Sequence, residues 1–503
     1  MIRPVTSLPL ATLLHLLPHK ENHLLFEIHA EKNASDKKVF FYDNESNVLK
    51  DADGNDFRFP ELDKPLEQYP VRPFSKDFPL KKSTHIQLLK IQLGLGCNYS
   101  CDYCSQKFVE RTESTSAKDI NDFLEKLNVL EFNEEVGLKV EFWGGEPLVY
   151  LKTLKPLAEA IKARFDSWTR KPQFSIITNG SILTEDIIDW LMMMDFSVSI
   201  SHDGPGQAVR GPDPFDDPEK KKLILGFYRM MTRLKKGISF NSMLSAKNQS
   251  RKAISDWFRE LTGDPHVALG EGGIVDAYDE DGITNSLQSL EEHFTFRRTA
   301  FADIFGTRGD IAFKMQIDKI DAFTRSVLSQ SPAKYLGQKC GMDDEHVLAV
   351  DLHGNVITCQ NVSAVETSKN GESHLGGNLA DFGNVAISTS THWSNRAECP
   401  SCPVLHLCKG ACMFLDNKFW EISCANAYSD NVALFALAFE KMTGYIPMLI
   451  KNDALPLERQ DIFGTVFKHE EKPVKKIFPI KVVSEIIEKI DDVEIYGKSR
   501  VAA

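Results

Sequence analysis

Three cysteines, Cys97, Cys101 and Cys104, lie within eight residues and directly after the apolar run 86–95. A loop that leaves a strand here would turn three thiolates toward one another but would supply no fourth ligand. Three thiols cannot all form disulfides, and the chain is not a small secreted scaffold. A structural zinc site normally has four protein ligands, whereas an iron–sulfur cube held by three cysteines leaves one iron free. The spacing therefore favours an iron–sulfur site, with zinc as the alternative.

A second cysteine array occupies residues 340–424 and contains all the remaining cysteines. They are Cys340, Cys359, Cys399, Cys402, Cys408, Cys412 and Cys424. The run Cys399-Pro-Ser-Cys402 alone is typical of half a zinc ribbon. Four-coordinate zinc sites would nevertheless divide the chain's 10 cysteines badly, so zinc at both arrays is disfavoured.

The elements that would position the first array alternate between short apolar runs and longer amphipathic ones. We predict strands at 140–143, 174–178, 196–201, 238–244 and 267–275. Helices are predicted from a Ser116 and Asp119 capping pair to 130, and at 151–165, 185–194, 221–235 and 252–261. Repeated βα units indicate parallel strands with helices packed outside, either as an open sheet or as a barrel. In both architectures ligands bind at the C-terminal ends of the strands.

Unusual loops follow these predicted strands. They are the cysteine loop, Gly144-Gly145-Glu146-Pro147, the Thr-Asn-Gly at 178–180 and the Ser-His-Asp-Gly-Pro at 201–205. Glycines let the backbone approach a ligand closely, and a carboxylate beside them could bind an ammonium group. Asn-Gly and Asp-Gly are also the commonest turn formers, so the last two loops carry a weaker signal.

The CxxxCxxC spacing, with Tyr103 before the last cysteine, resembles the radical S-adenosylmethionine superfamily, and residues 144–147 match the GGEP motif of that family. The resemblance implies that S-adenosylmethionine chelates the free iron through its amine and carboxylate, and that an electron from the cube yields a 5′-deoxyadenosyl radical. It implies cofactor contacts from Gly144, Gly145, Glu146, Asn179 and Ser201. Of these, Glu146 would pair with the methionine ammonium.

The second array resembles the SPASM domain, an extension of one branch of this superfamily that houses two auxiliary 4Fe-4S clusters. The resemblance implies an outer cluster on Cys399, Cys402, Cys408 and Cys424. An inner cluster would be held by Cys340, Cys359 and Cys412, one thiolate short of four. Either Asp343, Asp344 or His346 is the fourth ligand, or that iron is open to water or substrate. The clusters could transfer electrons or could only stabilise a domain with little apolar core.

The predicted fold class is α/β, a partial (β/α)6 TIM-like barrel with a C-terminal iron–sulfur SPASM domain and a small N-terminal β-rich domain. The predicted units are a β-rich domain at 1–59, a proline-rich linker at 60–83, the barrel at 84–330, the SPASM domain at 335–445 and a tail at 446–503. The first unit rests on strands at 24–31 and 37–43 and on an Asp53-Gly54 turn. Residues 276 to about 330 are charged and mostly helical and carry no recognisable chemistry.

Composition narrows the class of protein. The 503 residues include 71 acidic and 59 basic ones, and a formal net charge of −12 argues against the basic footprint of a nucleic-acid binder. No stretch approaches the ~20 apolar residues of a membrane span. The apolar run 8–17 contains His15 and precedes Pro18, which indicates a short helix rather than a signal peptide. We expect a cytoplasmic protein, whose thiols stay reduced.

We therefore expect an enzyme that uses three 4Fe-4S clusters and S-adenosylmethionine to crosslink a residue of a ribosomally made peptide. Its expected partners are a peptide or protein substrate and a reductant such as flavodoxin or ferredoxin, with no nucleic acid and no membrane. Residues 1–59 would either dock the peptide or only cover the barrel edge. One alternative is a sulfatase-maturating-type protein dehydrogenase, although that family typically has an aspartate where this chain has Gln360. The other is a non-enzymatic electron-transfer protein with several clusters.

Overall fold

The computed structural model describes residues 25–60, 74–110, 115–307, 309–368, 371–388 and 391–467. The predictions for the helix at 8–17, for most of the linker and for the end of the tail lie outside these residues. The strands are β1 (Leu25–Asn33), β2 (Asp36–Asp43), β3 (Val48–Asp51), β4 (Leu80–Lys81), β5 (Leu88–Gln92), β6 (Lys139–Trp143), β7 (Gln173–Thr178), β8 (Ser197–Ser201), β9 (Ile238–Leu244), β10 (Leu269–Ile274), β11 (Val347–Asp351), β12 (Asn355–Ile357), β13 (Leu375–Asn378), β14 (Ala386–Ile387) and β15 (Ile446–Lys451).

The described α-helices separate these strands and follow them. They are α1 (Ile120–Lys126), α2 (Leu151–Arg164), α3 (Glu185–Met193), α4 (Pro218–Arg233), α5 (Arg251–Thr262), α6 (Glu280–Ile283), α7 (Leu290–Phe305), α8 (Lys314–Leu328), α9 (Leu405–Cys408), α10 (Asn417–Thr443) and α11 (Leu457–Gln460). The predicted cap before α1 is present, because the Ser116 backbone N–H donates to the Asp119 carboxylate at 2.6 Å and the Ser116 hydroxyl accepts from Lys118.

One large sheet has the strand order β10-β9-β8-β7-β6-β5-β11-β12-β13. The strands from β5 to β10 are parallel and adjacent in chain order, which confirms the prediction of repeated βα units in an α/β fold. One row of their side chains is fully buried, as Phe142, Ile176 and Ile200 show. The opposite row includes Ser175 and Ser199, which line a cavity on the other face of the sheet. The partial barrel itself stays a prediction.

The segment of the second cysteine array is attached directly to this sheet. Strand β11 pairs in parallel with β5, from Val347 opposite Leu88 to Asp351 opposite Gln92, and every residue of β11 is buried. Strands β12 and β13 then continue the sheet in antiparallel orientation. The boundary that we predicted between 330 and 335 therefore does not separate two sheets.

The N-terminal strands form a second sheet with the order β15-β1-β2-β3. Strand β15 belongs to the segment that we predicted to be a tail. The buried face of this sheet packs on α10, where the rings of Phe40 and Phe439 lie 5.0 Å apart and those of Tyr42 and Phe435 lie 5.7 Å apart. The described strands of this unit, within residues 25–51, thus bury their apolar face on α10, because a sheet with one apolar face must bury that face on another element.

Helix α10 is the central support of this half of the protein. Residues 432–439 are all buried, so the helix is apolar on every side there and is packed on all sides by protein. It ends at Gly444, which adopts the left-handed conformation (φ 76°) that suits a helix C-terminus. In the part of the chain that the structure describes, no helix combines the length and apolarity that a membrane crossing requires.

Candidate functional site

The loop after β5 carries Cys97, Cys101 and Cys104. The Tyr99 backbone N–H donates to the Cys97 sulfur at 3.3 Å, and the Cys104 N–H donates to the Cys101 carbonyl at 3.1 Å. Burial raises the pKa of Cys101 to about 12, although the Arg210 guanidinium opposes the shift. Burial also raises the pKa of Cys97. Thiols of this kind ionise at neutral pH when a metal supplies the compensating positive charge.

The cysteine loop is anchored to the end of β8. The Tyr103 hydroxyl donates to one oxygen of the Asp203 carboxylate at 2.5 Å, and the Arg210 guanidinium donates to the other at 3.0 Å. The Met243 backbone N–H also donates to this carboxylate, at 2.9 Å. Burial alone would lower the pKa of Arg210, but the Asp203 carboxylate raises it above its usual value. Asp203, which the sequence suggested only as part of a turn, thus forms a buried ionic anchor.

The glycine loop after β6 packs directly on the backbone that leads into Cys97. The Gly145 N–H donates to the Gly94 carbonyl at 3.1 Å, and the Glu146 N–H donates to the Gly96 carbonyl at 3.0 Å. A Cβ atom added at Gly145 would lie 2.5 Å from the Gly96 carbonyl oxygen, a distance that real Cβ atoms do not reach. Glycine at 145 is therefore required by a close backbone approach. The two predicted loops do meet at one mouth of the sheet.

The Glu146 carboxylate has protein partners. It is buried and accepts hydrogen bonds from the Thr178 hydroxyl at 2.8 Å, the Asn179 N–H at 2.7 Å and the Leu148 N–H at 3.0 Å. Burial raises its pKa, and these donors oppose the shift. The family resemblance implied that this carboxylate pairs with the ammonium of the cofactor. Its bonds instead tie the glycine loop to the end of β7, and pairing with the ammonium stays a prediction.

Asn179 joins the end of β7 to the cysteine loop. Its side-chain amide donates to the Asn98 oxygen at 2.9 Å, and its own oxygen accepts from the Ser181 N–H at 3.0 Å. Ser201 is buried at the end of β8, where its backbone pairs with Asn241 of β9. The structure therefore places Gly144, Gly145, Glu146 and Asn179 around the cysteine loop, whereas Ser201 lies one strand further along the same sheet edge.

The residues predicted for the outer cluster lie together. They are Cys399, Cys402, Cys408 and Cys424, and all four line one cavity. Burial raises the pKa of Cys402 to about 12, the neighbouring thiolates of Cys424 and Cys408 raise it further, and Arg459 opposes the shift. Arg459 donates a hydrogen bond to the Cys424 sulfur at 3.4 Å. Four thiols around one cavity fit a four-iron cube.

The residues predicted for the inner cluster line a different cavity, of about 380 Å³. Burial raises the pKa of Cys359 to about 12 and that of Cys412 to about 11, and burial also raises the pKa of Cys340. Ser105 and Phe108, which follow the first cysteine loop, line the same cavity. The cavity of the inner cysteines is thus bounded on one side by the segment that follows the first cysteine loop. Among the described residues, no three His, Cys, Asp or Glu side chains are arranged to bind a single metal ion.

The three residues proposed as a fourth inner ligand have other partners, and none of them lines this cavity. The Asp343 carboxylate accepts from the Gln338 N–H at 2.7 Å, and the Asp344 carboxylate accepts from the His346 N–H at 2.8 Å. The His346 ring bonds to the His85 carbonyl at 2.8 Å. The turn at 341–346 thus holds these side chains within its own hydrogen bonds and those of its neighbours.

Two residues of the cavity belong to no motif of the sequence. Asp276 and Tyr278 follow β10 and line the inner cavity, although we found no chemistry in residues 276–330. The Tyr278 hydroxyl donates to the Cys412 sulfur at 3.5 Å. Burial raises the pKa of Asp276, and Lys339 opposes the shift. Their position directly after the sixth parallel strand was the available signal, because ligands gather at that edge of such sheets.

Residues 91–222 match the profile of the Radical SAM superfamily. The matched range contains the cysteine loop, the glycine loop, Asn179 and Ser201, and it confirms the superfamily that their spacing resembles. This part of the chain is a radical S-adenosylmethionine domain. In that superfamily a 4Fe-4S cluster and S-adenosylmethionine are the cofactors, and the loop of Cys97, Cys101 and Cys104 fits the cluster.

The chain is also similar to individual proteins. The radical SAM cyclopropyl synthase TigE of Paramaledivibacter caminithermalis is 25% identical over 179 residues, or 33% of this chain and only 37% of that protein. A cysteine-type anaerobic sulfatase-maturating enzyme of Clostridium perfringens is 22% identical over 344 residues, or 63% of this chain and 86% of that protein. The solved structure of native anSMEcpe with bound AdoMet and a peptide covers 71% of this chain and 99% of its own, at 18% identity and a TM-score of 0.50. The structural likeness shows a shared fold.

Proposed function

We propose that this chain forms a 5′-deoxyadenosyl radical from S-adenosylmethionine and uses it to crosslink a residue of a ribosomally made peptide. The observation that carries the proposal is the inner cavity, of about 380 Å³. One wall comes from the loop that follows Cys104, and the other contains the inner-cluster cysteines. A substrate residue in this space would lie between the source of the radical and a possible electron acceptor.

The residues around the first cysteine loop position and shield the cofactors. A cube bound by Cys97, Cys101 and Cys104 would supply the electron that cleaves the sulfonium of S-adenosylmethionine. Glu146 and Asn179 hold the glycine loop and the end of β7 against the cysteine loop through hydrogen bonds of 2.7–2.9 Å. Asp203 fixes the other side of the loop through Tyr103 and Arg210. This scaffold would keep the geometry of the reactive site constant during turnover.

The walls of the inner cavity suit an amino-acid side chain. Apolar contacts would come from Phe108, Val362, Met413 and Phe414, and polar ones from Gln360, Thr367, Ser368 and His374. Its volume is at the lower end of the range for ligand pockets, about 300–1,000 Å³. Such a space favours one or two inserted residues of a peptide over a large metabolite. Phe108 is 59% exposed and gives the cavity an apolar rim.

We also propose that the peptide docks on residues 1–59, and this proposal is better tested by surface substitutions than by deleting those residues. The edge strands of that sheet are β3 and β15, and neighbouring backbone already covers part of each. The Phe57 N–H donates to the Leu49 carbonyl at 2.9 Å, and the Ile462 N–H donates to the Met448 carbonyl at 3.0 Å. Deleting the sheet would also strip the apolar surface of α10. Surface substitutions such as Lys50→Glu on β3 test docking without this damage.

The sulfatase-maturating alternative is supported by the relative that matches 63% of this chain. In this chain Gln360 occupies the position of the aspartate that is the proposed base of that family. The Gln360 side-chain oxygen lies 3.5 Å from the Lys90 ammonium, and its backbone carbonyl accepts from Gln92 at 2.6 Å. An amide cannot accept the substrate proton as a carboxylate would. The peptide-crosslinking function is therefore the better supported of the two.

The proposal is tested with the full chain after anaerobic reconstitution. We expect about twelve irons per chain, because the ligands suffice for three cubes. Incubation with reductant, S-adenosylmethionine and each small peptide encoded beside the gene should give 5′-deoxyadenosine and a peptide that has lost two hydrogens. The triple Cys97, Cys101 and Cys104 to Ala variant should keep about eight irons and form no 5′-deoxyadenosine. Iron near four with stoichiometric zinc, or no peptide modified, would contradict the proposal.

Binding of S-adenosylmethionine separates this function from the non-enzymatic alternative. An electron-transfer protein with several clusters has no need of the glycine loop or of a cofactor at the first cluster. Equilibrium binding of S-adenosylmethionine to the reconstituted chain, with the triple cysteine variant as the control, therefore decides between the two classes. Absence of binding would favour the electron-transfer protein.

A further inference from the structure

A different side-chain donor bonds to a cysteine sulfur in each of the two auxiliary sites. At the outer site the Arg459 guanidinium donates to the Cys424 sulfur at 3.4 Å. At the inner site the Tyr278 hydroxyl donates to the Cys412 sulfur at 3.5 Å. One donor is a cation and the other is neutral. Hydrogen bonds from charged donors are roughly twice as strong as those between neutral groups.

Arg459 has no carboxylate partner among the ion pairs of the described residues. It lines the outer cavity, and its ring contact is with Tyr428 at 5.1 Å. Burial lowers the pKa of Arg459, but the thiolates of Cys424 and Cys402 raise it above its usual value. Arg459 is half-buried, and a partly desolvated cation needs a nearby anion, so the sulfur ligands are the anions that balance this guanidinium.

Further cations surround the outer site. Burial raises the pKa of Cys399, and Arg396 opposes that shift. Burial likewise raises the pKa of Cys408, and the ammonium groups of Lys339 and Lys319 oppose it. The Lys339 side chain lines two cavities, and one of them is the cavity of the inner cysteines. Its accessible surface faces these cavities. Arg459 and Glu398 both line the outer cavity, and Arg459 is the charged side chain that contacts a cysteine sulfur there.

The inner site has mixed charges, because both Asp276 and Lys339 line its cavity. Burial and then the Asp276 carboxylate raise the pKa of Cys412. Burial and the Asp343 carboxylate raise the pKa of Cys340, while the Lys90 ammonium opposes the shift. The Asp276 and Asp343 carboxylates are thus opposed at this site by the ammonium groups of Lys339 and Lys90. The uncharged Tyr278 hydroxyl is the side-chain donor on this side.

We propose that Arg459 and Tyr278 each raise the reduction potential of the auxiliary cluster whose sulfur they contact, and that the outer cluster is the one reduced first. Potentials of iron–sulfur clusters rise with hydrogen bonds to the sulfurs and with positive charge nearby. An electron taken up at the inner site would then pass to the outer site. The inference depends on the proposed function only through the presence of both auxiliary clusters. The inner site has one thiolate fewer than the outer site, and this difference alone would raise the potential of the inner cluster. The order of reduction therefore shows whether the missing thiolate or the Arg459 hydrogen bond has the larger effect on the potentials.

The test is a redox titration of the full reconstituted chain, followed by electron paramagnetic resonance without substrate. Arg459→Gln should shift the midpoint of the outer cluster to a more negative value and leave the inner one in place. Tyr278→Phe should shift the inner midpoint alone, and by less. Two matched controls should shift neither midpoint. Arg298→Gln removes a guanidinium bonded to the Phe463 carbonyl, and Tyr228→Phe removes a hydroxyl bonded to Asp264.

Two further variants preserve the packing should the first pair lose iron. Arg459→Lys keeps the charge and should retain most of the outer potential. Tyr278→fluorotyrosine has a more acidic hydroxyl and should shift the inner midpoint to a more positive value. The role of Arg459 is overturned if Arg459→Gln with full iron titrates as the wild type does, and the role of Tyr278 is overturned if both Tyr278 variants with full iron do so. The proposed order is overturned if the inner cluster of the wild type is reduced first. Shifted midpoints with no peptide modified would support the inference and reject the function.

Discussion

The Tyr103 hydroxyl donates a hydrogen bond of 2.5 Å to the Asp203 carboxylate, which joins the cysteine loop to the end of β8. Arg210 completes this anchor, because it donates to Asp203 at 3.0 Å and its guanidinium lies 5.7 Å from the centre of the Tyr103 ring. All three side chains are buried or nearly so. The loop that carries the first three thiols is therefore held by a buried charge pair in addition to its own turns.

We expect Asp203→Asn to destabilise the protein and to reduce 5′-deoxyadenosine formation. The amide leaves the Arg210 charge buried without a counter-ion, and breaking such a pair costs about 3–5 kcal/mol. The measurements are the thermal midpoint and the yield of 5′-deoxyadenosine. The matched control is Asp264→Asn, which removes the partner of the Tyr228 hydroxyl outside the site and should cost only about 1 kcal/mol. Equal effects of the two variants would contradict the anchoring role.

Glu146→Gln should weaken binding of S-adenosylmethionine by about 1–3 kcal/mol, or roughly 5- to 150-fold. The glutamine amide would present its own N–H groups to a backbone donor, so the bond from either the Leu148 or the Asn179 N–H must break. Equilibrium binding to the reconstituted protein measures the effect. Glu159→Gln is the control, because this glutamate accepts a bond from Trp190 far from the cofactor loops. Unchanged affinity in Glu146→Gln would show that the motif match is accidental.

The sequence predicted the parallel sheet well, because its signal is local. Alternating buried and half-buried residues along β6 and β7 follow the period of a strand, and the loops after them are marked by glycines. The meeting of Gly145 with Gly96 followed from the rule that the C-terminal strand ends share one edge. The cysteine groups were predicted by family resemblance rather than by physical reasoning.

The contacts between distant segments could not be predicted. Strand β15 completes the sheet of β1, and β11 joins β5, but neither segment carries a local signal for its partner. The same holds for Tyr278, because an isolated tyrosine in a charged stretch has no motif. Its bond to Cys412 spans 134 residues and depends on the packing of β10 against α10. Long-range pairing of this kind is set by tertiary packing.

Stability should fall as the pH is lowered through about 6.5 toward about 4. Burial lowers the pKa of His406 from 6.5 to about 4, and burial lowers the values of His293 and His374 to about 4 as well. In this window the unfolded chain binds protons that the folded chain does not, so acid favours unfolding. The thermal midpoint at pH 7 and pH 5 should differ less in His406→Gln than in the wild type. The exposed His85→Gln serves as the control, and an identical difference in all three proteins would contradict the prediction.

Gly145→Ala should abolish the cofactor site, whereas Gly226→Ala should be harmless. A Cβ atom at 145 would lie 2.5 Å from the Gly96 carbonyl oxygen and 2.6 Å from its carbon, so the glycine loop must move away from the backbone that leads to Cys97. At 226, in the middle of α4, a Cβ atom meets nothing within 4 Å, and alanine should stabilise the helix by about 1 kcal/mol. The two variants make the same chemical change, so any difference reports the close backbone approach. The thermal midpoint and S-adenosylmethionine binding measure it. If Gly145→Ala still bound the cofactor with wild-type affinity, the glycine loop would not form the cofactor site.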